Sequence, residues 1–193
     1  MLNLGFLASG GGSSMAAILQ AIQNGGLAAD PRLLVSNKRG AGALEIARAH
    51  GVATLVAPTL PDPDAADARL RQAMEDAGVE WIVMSGYLRR LGPATLERYA
   101  DRILNIHPGP LPRFGGEGMY GSRVHEAVIA AGLAITEICI HLVDGEYDHG
   151  AVVARRAVEV RADDTPLSLE SRIKSLEPCF FVETLSSISD NIP

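Results

Sequence analysis

Apolar runs alternate with segments of helical periodicity through the first half of this chain, and this alternation limits the possible folds more than any other feature. The predicted strands cover residues 2–8, 33–35, 52–56, 81–84 and 103–107. Apolar residues recur at helical spacing between them, over residues 14–23, 41–50, 64–77 and 94–99. Such a β-α-β-α order predicts an α/β fold with a doubly wound, mostly parallel sheet, because parallel strands need helical crossovers.

The pattern changes after residue 108. A loop rich in glycine and proline covers residues 108–121, and a helix is expected over 124–131. Two long apolar segments, 134–143 and 152–160, are separated by a polar turn. A short connection of this kind predicts an antiparallel pair of strands at the C-terminal end of the sheet.

Length and composition are typical of one globular domain. The chain has 193 residues, of which 47% are hydrophobic, enough for a full core. We expect a single domain over residues 1–185, closed by a helix from Pro166 to about residue 177 that Pro178 disturbs. The polar tail, residues 186–193, is predicted to be frayed.

Charge and cysteine usage exclude several classes of protein. The formal net charge is −6 and no run of Lys or Arg occurs, which argues against a nucleic-acid surface. The N-terminus lacks a basic signal region and no stretch is long enough for a membrane span, so a cytoplasmic protein is expected. Cys139 and Cys179 are predicted to be buried, reduced thiols. Metal-type Cys/His spacing is absent from the sequence, so no metal is expected.

The segment Asn105-Ile106-His107-Pro108 carries the first functional signal. Strand side chains alternate, so Asn105 and His107 point to one side of the sheet at the end of a predicted strand, which Pro108 terminates. An amide beside an imidazole can stabilise an oxyanion and move a proton. An isolated Asn-x-His pair is also compatible with a polar strand end that bonds to loop backbone.

A glycine-rich loop, residues 8–14, lies between the first strand and the first helix. Gly10 to Gly12 allow close approach of an anion to backbone N–H groups, and Ser13 or Ser14 could cap the helix. The loop lacks the lysine of a Walker A motif. Phosphate binding and a simple tight turn are both compatible with it.

The acidic turn 144–150 also has two interpretations. It can be a simple hairpin turn, or Asp148 can be a carboxylate that orients His107. Among the other histidines, His141 is expected in the core, His125 on a helix surface and His149 in solvent.

Several motifs occur together in one order: S-G-G-G-S-S at 9–14, S-N-K at 36–38, S-G-Y-L-R-R-L at 85–91 and N-I-H-P at 105–108. Asp148, seven residues after His141, and Glu177, in the closing helix, follow these motifs. Over residues 2–181 the chain resembles the phosphoribosylglycinamide formyltransferases, a family of folate-dependent enzymes of purine synthesis. The resemblance implies transfer of a formyl group from 10-formyltetrahydrofolate to the amine of glycinamide ribonucleotide, without a metal.

The same resemblance implies a set of site residues. Asn105, His107 and Asp148 would be catalytic. The acceptor substrate would be bound by Gly12, Ser13, Ser14, Lys174 and Glu177. The folate would be bound by Leu88, Arg89, Arg90, Leu91, Asn105 and the turn Asp144, Gly145, Glu146, Tyr147 and Asp148.

This chain departs from the family pattern at several positions. Ser14 replaces the usual asparagine, Pro63 stands where many members carry an arginine, and Pro178 replaces a histidine. Formyl transfer to another small phosphorylated or sugar amine is an alternative. A non-catalytic folate- or nucleotide-binding homologue is another. The expected partners are the two substrates, with no nucleic acid and no membrane, for a monomer or homodimer.

Overall fold

The structure, a computed structural model, describes residues 1–190 and contains one mixed sheet with helices on both faces. The strands are β1 (Leu2–Leu7), β2 (Ala29–Ser36), β3 (Ala53–Val56), β4 (Trp81–Met84), β5 (Ile103–His107), β6 (Ile135–Leu142) and β7 (Val152–Glu159). The helices are α1 (Ser13–Gln23), α2 (Gly42–Ala49), α3 (Pro63–Asp76), α4 (Pro93–Arg98), α5 (Ser122–Ala130) and α6 (Pro166–Asp190). None of these helices is both long and apolar enough to cross a membrane.

The strand order is β3-β2-β1-β4-β5-β6-β7. Strands β1 to β5 are parallel, whereas β6 is antiparallel to β5 and β7 is antiparallel to β6. The predicted doubly wound, mostly parallel sheet with a C-terminal antiparallel pair is confirmed. The order reverses between β1 and β4, and open α/β sheets bind ligands at such a reversal.

The alternation of side chains divides the core between the two faces of the sheet. Leu4 and Phe6 of β1 lie in the cluster that includes apolar residues of α1, α5 and α6. Leu7 lies in the cluster on the opposite face, with Leu70 and Met74 of α3. Both faces are therefore covered, which explains why the central strands are almost continuously apolar.

Strand β2 is longer than its sequence pattern predicts. It begins at Ala29 rather than at residue 33 and includes Pro31. Residues 29–31 pair with β1 alone, because β3 joins β2 only from Leu33 onward. A proline is tolerated there because the edge of β2 that faces away from β1 has no partner strand to receive an N–H.

The closing helix is also longer than predicted. It continues past Pro178 to Asp190, so residues 186–190 are helical rather than frayed. The prediction for residues 191–193 lies outside the described part of the chain. Phe181 and Leu185 follow the proline and are fully buried, and this packing offsets the hydrogen bond that Pro178 cannot donate. Helix propensity alone was therefore a poor guide to the end of α6.

The two cysteines differ from each other. Both are free thiols, but only Cys139 is buried, and Cys179 is exposed on α6. The prediction of two buried thiols was wrong for Cys179, because the residue lies on the solvent side of a helix whose opposite side packs on the core.

Replacement of Pro178 by alanine is expected to stabilise the protein. The change restores a backbone donor inside α6 and removes the clash of the proline ring with the preceding turn, a gain of about 1 to 3 kcal/mol in the free energy of unfolding. Urea denaturation would measure it. Pro166→Ala is the matched control, because Pro166 is the first residue of the same helix, where proline costs little. Equal effects of the two changes would contradict this account of α6.

Candidate active site

Four polar side chains meet beside the antiparallel pair of strands β5 and β6. Asn105 and His107 come from β5, His141 from β6, and Asp148 from the turn that follows β6. Asp148 lies between the two histidines: its Oδ2 is 3.4 Å from His107 Nδ1, and its Oδ1 is 3.4 Å from His141 Nε2. Asn105 is directly opposite His141 in the antiparallel ladder, and its Nδ2 is 3.1 Å from His141 Nε2. The structure thus brings the three predicted catalytic residues together and adds His141.

Asp148 is held in an unusual backbone conformation. Its φ is 54°, in the left-handed region that non-glycine residues seldom adopt, although aspartate tolerates it better than most. The backbone N–H of Gly116 donates a hydrogen bond of 3.1 Å to its Oδ2. Side-chain contacts on both carboxylate oxygens accompany the strained backbone, a combination typical of functional sites. The simple hairpin-turn interpretation does not account for this carboxylate.

His107 faces an acceptor at each ring nitrogen. Its Nε2–H donates to the carbonyl oxygen of Phe114 over 2.7 Å, and its Nδ1 faces the Asp148 carboxylate. Both nitrogens can act as donors only in the charged imidazolium. The hydrogen-bond geometry therefore favours a second proton on this ring.

Burial acts against that second proton. The ring of His107 is 3% exposed, and the loss of hydration lowers its pKa below the usual value, although Asp148 and the Phe114 carbonyl oppose the shift. The Asp148 carboxylate therefore offsets the effect of burial on the His107 pKa only in part. Burial would raise the pKa of Asp148, but the hydrogen bond to His141, the nearby His107 and the Gly116 amide outweigh it and lower that pKa. The pair combines an acidic imidazolium with a carboxylate that stays ionised.

His141 is the site residue that sequence reasoning missed. Its Nδ1–H donates to the Leu142 carbonyl over 2.8 Å, and its Nε2 lies 3.1 Å from Asn105 Nδ2 and 3.4 Å from Asp148 Oδ1. It was expected to be an ordinary core histidine. The register of β6 against β5, which places it opposite Asn105, could not be read from the sequence.

His125 was also placed wrongly by the sequence analysis. It was expected on a helix surface, but it is 1% exposed and its Nδ1 has no hydrogen-bond partner within residues 1–190. His149 does lie in solvent, and its Nδ1 is 2.8 Å from Asp144 Oδ2. That contact raises the pKa of His149.

The glycine loop forms the N-terminal end of α1. Gly12, not a serine, occupies the cap position, with φ 69° and no side-chain cap. The prediction that Ser13 or Ser14 caps the helix was wrong. Ser85, from the end of β4, instead accepts the backbone N–H of Met15 over 3.3 Å. Gly10 and Gly11 are exposed with open space around them, so an anion can approach the backbone there.

Lys174 and Glu177 lie one helical turn apart on α6. Lys174 forms an ion pair of 2.6 Å with Glu170 and is largely exposed. Glu177 is half-buried, and the loss of hydration together with the repulsion from Glu170 raises its pKa to about 7, against the opposing charge of Lys174. A carboxyl group with this pKa can accept or donate a hydrogen bond at neutral pH.

A cavity of about 430 Å³ opens on the sheet face covered by α3 and α4. Three of the residues predicted to bind folate line it: Arg90, Leu91 and Gly145. Arg90 donates a hydrogen bond to the Gly145 carbonyl and lies 5.9 Å from the ring of Tyr147, so it joins one wall of the cavity to the acidic turn. Leu88 is 61% exposed and lies outside this lining.

Comparison with known proteins agrees with this architecture. The family model described as formyl transferase matches residues 2–185. The chain belongs to the formyl transferase family. A phosphoribosylglycinamide formyltransferase of Arabidopsis thaliana, named as chloroplastic, is 37% identical over 97% of this chain, which spans 65% of that relative. The enzyme of that name from Escherichia coli is 31% identical, over 98% of this chain and 88% of its own.

Solved structures of family members share the fold. The crystal structure of phosphoribosylglycinamide formyltransferase from Bacillus halodurans has a TM-score of 0.89 and 30% identity. The match covers 98% of this chain and 96% of that one. Residues 1–190 hold no group of three or more His, Cys, Asp or Glu side chains arranged for a metal ion.

The two aspartates of the turn provide a matched test of the site electrostatics. Asp148→Asn removes the carboxylate that raises the pKa of His107, so that pKa should fall further, while that of His149 stays the same. Asp144→Asn should lower the pKa of His149 and leave that of His107 unchanged. Titration of the imidazole protons by NMR would measure both values. A constant His107 pKa in Asp148→Asn would contradict the pairing described above.

Proposed function

We propose that this protein transfers the formyl group of 10-formyltetrahydrofolate to the amine of glycinamide ribonucleotide. The observation that carries the proposal is the cluster of Asn105, His107 and Asp148 at the C-terminal end of β5, in a member of the formyl transferase family. The names of its relatives in Arabidopsis thaliana and Escherichia coli support the choice of acceptor.

The chemistry requires an oxyanion site and a proton path. The acceptor amine attacks the formyl carbon, and the carbonyl oxygen becomes an oxyanion in a tetrahedral intermediate. The amide of Asn105 has two hydrogens, and its nitrogen has one close side-chain neighbour, His141 Nε2 at 3.1 Å, so a hydrogen can be directed to that oxyanion. Protonated His107 adds a nearby positive charge, while its two N–H groups face Phe114 and Asp148. A well-placed donor of this kind contributes about 10² to 10³ in rate.

The proton leaves the attacking amine and is needed at the folate nitrogen when the C–N bond to the formyl group breaks. Asp148 stays ionised and can accept the amine proton, directly or through water. His107 gives up its second proton readily, because burial makes the imidazolium acidic. The two groups can therefore move one proton from the nucleophile to the leaving group.

The acceptor substrate would lie between α1 and α6. The loop from Gly10 to Ser13, in which Gly10, Gly11 and Ser13 are exposed, offers backbone N–H groups and the positive end of the α1 dipole to the phosphate. Lys174 would add positive charge. Glu177, with its pKa near neutrality, would bind a hydroxyl or amine of the acceptor.

The folate would enter the cavity beside the acidic turn. Leu91 and the backbone at Gly145 supply an apolar wall and hydrogen-bonding groups, and Leu88 lies at the exposed edge. Arg89 and Arg90 are exposed and can meet the carboxylates of the folate. Asp144, Glu146 and Tyr147 belong to the same turn. A cytoplasmic location and a monomeric or dimeric state remain predictions.

A turnover assay tests the proposed reaction. The purified protein is mixed with glycinamide ribonucleotide and 10-formyltetrahydrofolate, and both deformylated folate and formylated acceptor are measured. Both products should form in equal amounts. Folate deformylation without acceptor would indicate a hydrolase, turnover with another phosphorylated or sugar amine would indicate a different acceptor, and binding without turnover would indicate a non-catalytic homologue.

Asp148→Asn is expected to lower kcat by at least about 10², because the proton path loses its acceptor. The melting temperature should change little, since asparagine also tolerates a positive φ. Steady-state kinetics with both substrates would measure the effect. Asp144→Asn, in the same turn, is the control and should be far milder. Similar kcat values for the two variants would remove Asp148 from the mechanism.

Gly12→Val is expected to raise KM for the phosphorylated acceptor. A Cβ at Gly12 would lie 2.8 Å from the Cβ of Ala43, and its φ is positive, so the loop must shift. Gly25→Val is the matched control, because it imposes a similar positive-φ strain near the other end of α1 with open space around it. Both variants should lose stability. If acceptor KM rises equally in both, the phosphate does not bind at this loop.

A further inference from the structure

The turn that follows His107 is fixed to the rest of the protein at three backbone groups. Within the turn, the N–H of Phe114 donates to the Pro110 carbonyl over 2.9 Å. Two of the external bonds come from the catalytic cluster: His107 donates to the Phe114 carbonyl, and Asp148 accepts the Gly116 N–H. The third comes from Arg155, on strand β7 at the edge of the sheet. Both of its terminal nitrogens, Nη1 and Nη2, are 3.2 Å from the Leu111 carbonyl oxygen.

The sheet register explains how an edge residue reaches the turn. His107 is paired with Cys139 across β5 and β6, and Cys139 is paired with Arg155 across β6 and β7. Directly paired residues project to the same face of a sheet, so His107 and Arg155 stand on one face, two strand spacings or about 10 Å apart. The turn after β5 spans this distance, and the Arg155 guanidinium contacts the turn at the Leu111 carbonyl.

Glu137 holds the guanidinium in place. Its Oε2 is 2.7 Å from Arg155 Nη1, and the same nitrogen lies 3.6 Å from the sulfur of Cys139. The ion pair is partly exposed, and exposed pairs contribute little to stability. The Leu111 side chain is buried, and its carbonyl receives charge-assisted hydrogen bonds. The effect of Arg155 should therefore concern the geometry of the turn more than the stability of the fold.

We propose that Arg155, held by Glu137, is a positioning residue for formyl transfer: it fixes the turn whose Phe114 carbonyl orients the His107 ring. The proposal rests on the function proposed above. The guanidinium does not touch the reacting atoms and acts through the Leu111 carbonyl. Displacement of a catalytic group by about 1 Å can cost up to about 10² in rate, so a modest shift of this turn is enough to be measured.

Arg155→Met tests the proposal, because methionine keeps much of the apolar stem and removes all the donors. We expect kcat to fall about tenfold or more with little change in either KM. Arg155→Lys should recover part of the loss, since an ammonium group can still donate to the Leu111 carbonyl. Arg156→Met is the matched control: Arg156 is the next residue on β7, but it bonds to Glu183 and packs over Phe180 of α6.

The titration of His107 provides a second readout that does not depend on turnover. The other titratable groups near it, Asp148 and His141 with His125 farther away, are untouched by these changes. Loss of a firm bond to Phe114 should therefore lower the His107 pKa in Arg155→Met but not in Arg156→Met, as measured by NMR. If the unmodified protein shows no formyl transfer, this measurement still decides whether Arg155 orients His107.

Glu137→Gln covers the case in which Arg155→Met does not fold. It keeps the guanidinium and weakens its anchor, so the shifts in kcat and in the His107 pKa should be smaller and in the same direction. Parental kcat and parental His107 titration in folded Arg155→Met or Glu137→Gln would overturn the proposal. So would equal losses of kcat in Arg155→Met and Arg156→Met, which would indicate a general weakening of the edge strand.

Discussion

The geometry of the candidate active site depends on one half-buried carboxylate. Asp148 has lost much of its hydration, a change that by itself favours the neutral acid. It remains ionised because His107, His141 and the Gly116 amide all face it. These contacts also join three separate parts of the chain: the end of β5, the strand β6 and the turn after Phe114. A change at Asp148 would therefore alter the geometry of the whole cluster.

The change in strand direction makes this arrangement possible. The first five strands are parallel, and their C-terminal ends form one edge, where the glycine loop follows β1 and the Asn-His pair ends β5. The antiparallel strand β6 runs away from that edge; its register places His141 opposite Asn105, and the turn after β6 brings Asp148 back to His107. The short turn that carries Asp148 is possible because β6 and β7 are antiparallel, since parallel strands need a long crossover connection.

The pKa values of three ionisable groups in the site are shifted, and not all in the same direction. The pKa of His107 is lowered by burial, that of Asp148 is lowered by its partners, and that of Glu177 is raised to about 7. Groups of this kind cluster at functional sites because acid and base chemistry at neutral pH requires them. In the function proposed above, they would divide the tasks between a proton path at the end of β5 and an acceptor-binding group on α6.

Much of the fold followed from the sequence alone. The alternation of apolar runs and helical segments predicted the parallel sheet. Strands that are buried on both faces are continuously apolar, and this pattern is visible in the local sequence. The period of two along a strand placed Asn105 and His107 on one side, and Pro108 marked the end of β5. The order of the motifs then indicated the family. These features are local in the chain, so no knowledge of distant contacts was needed.

The tertiary structure alone decided which distant residues meet. The register of β6 placed His141 opposite Asn105, and that of β7 aligned Arg155 with Cys139 and His107. Helix α6 continued past Pro178 because the residues beyond it pack into the core. Register and burial depend on contacts between segments far apart in sequence, and their energies outweigh local propensity. The sequence therefore determined the sheet and the strand that carries Asn105 and His107, whereas packing between distant segments determined the partners of that strand.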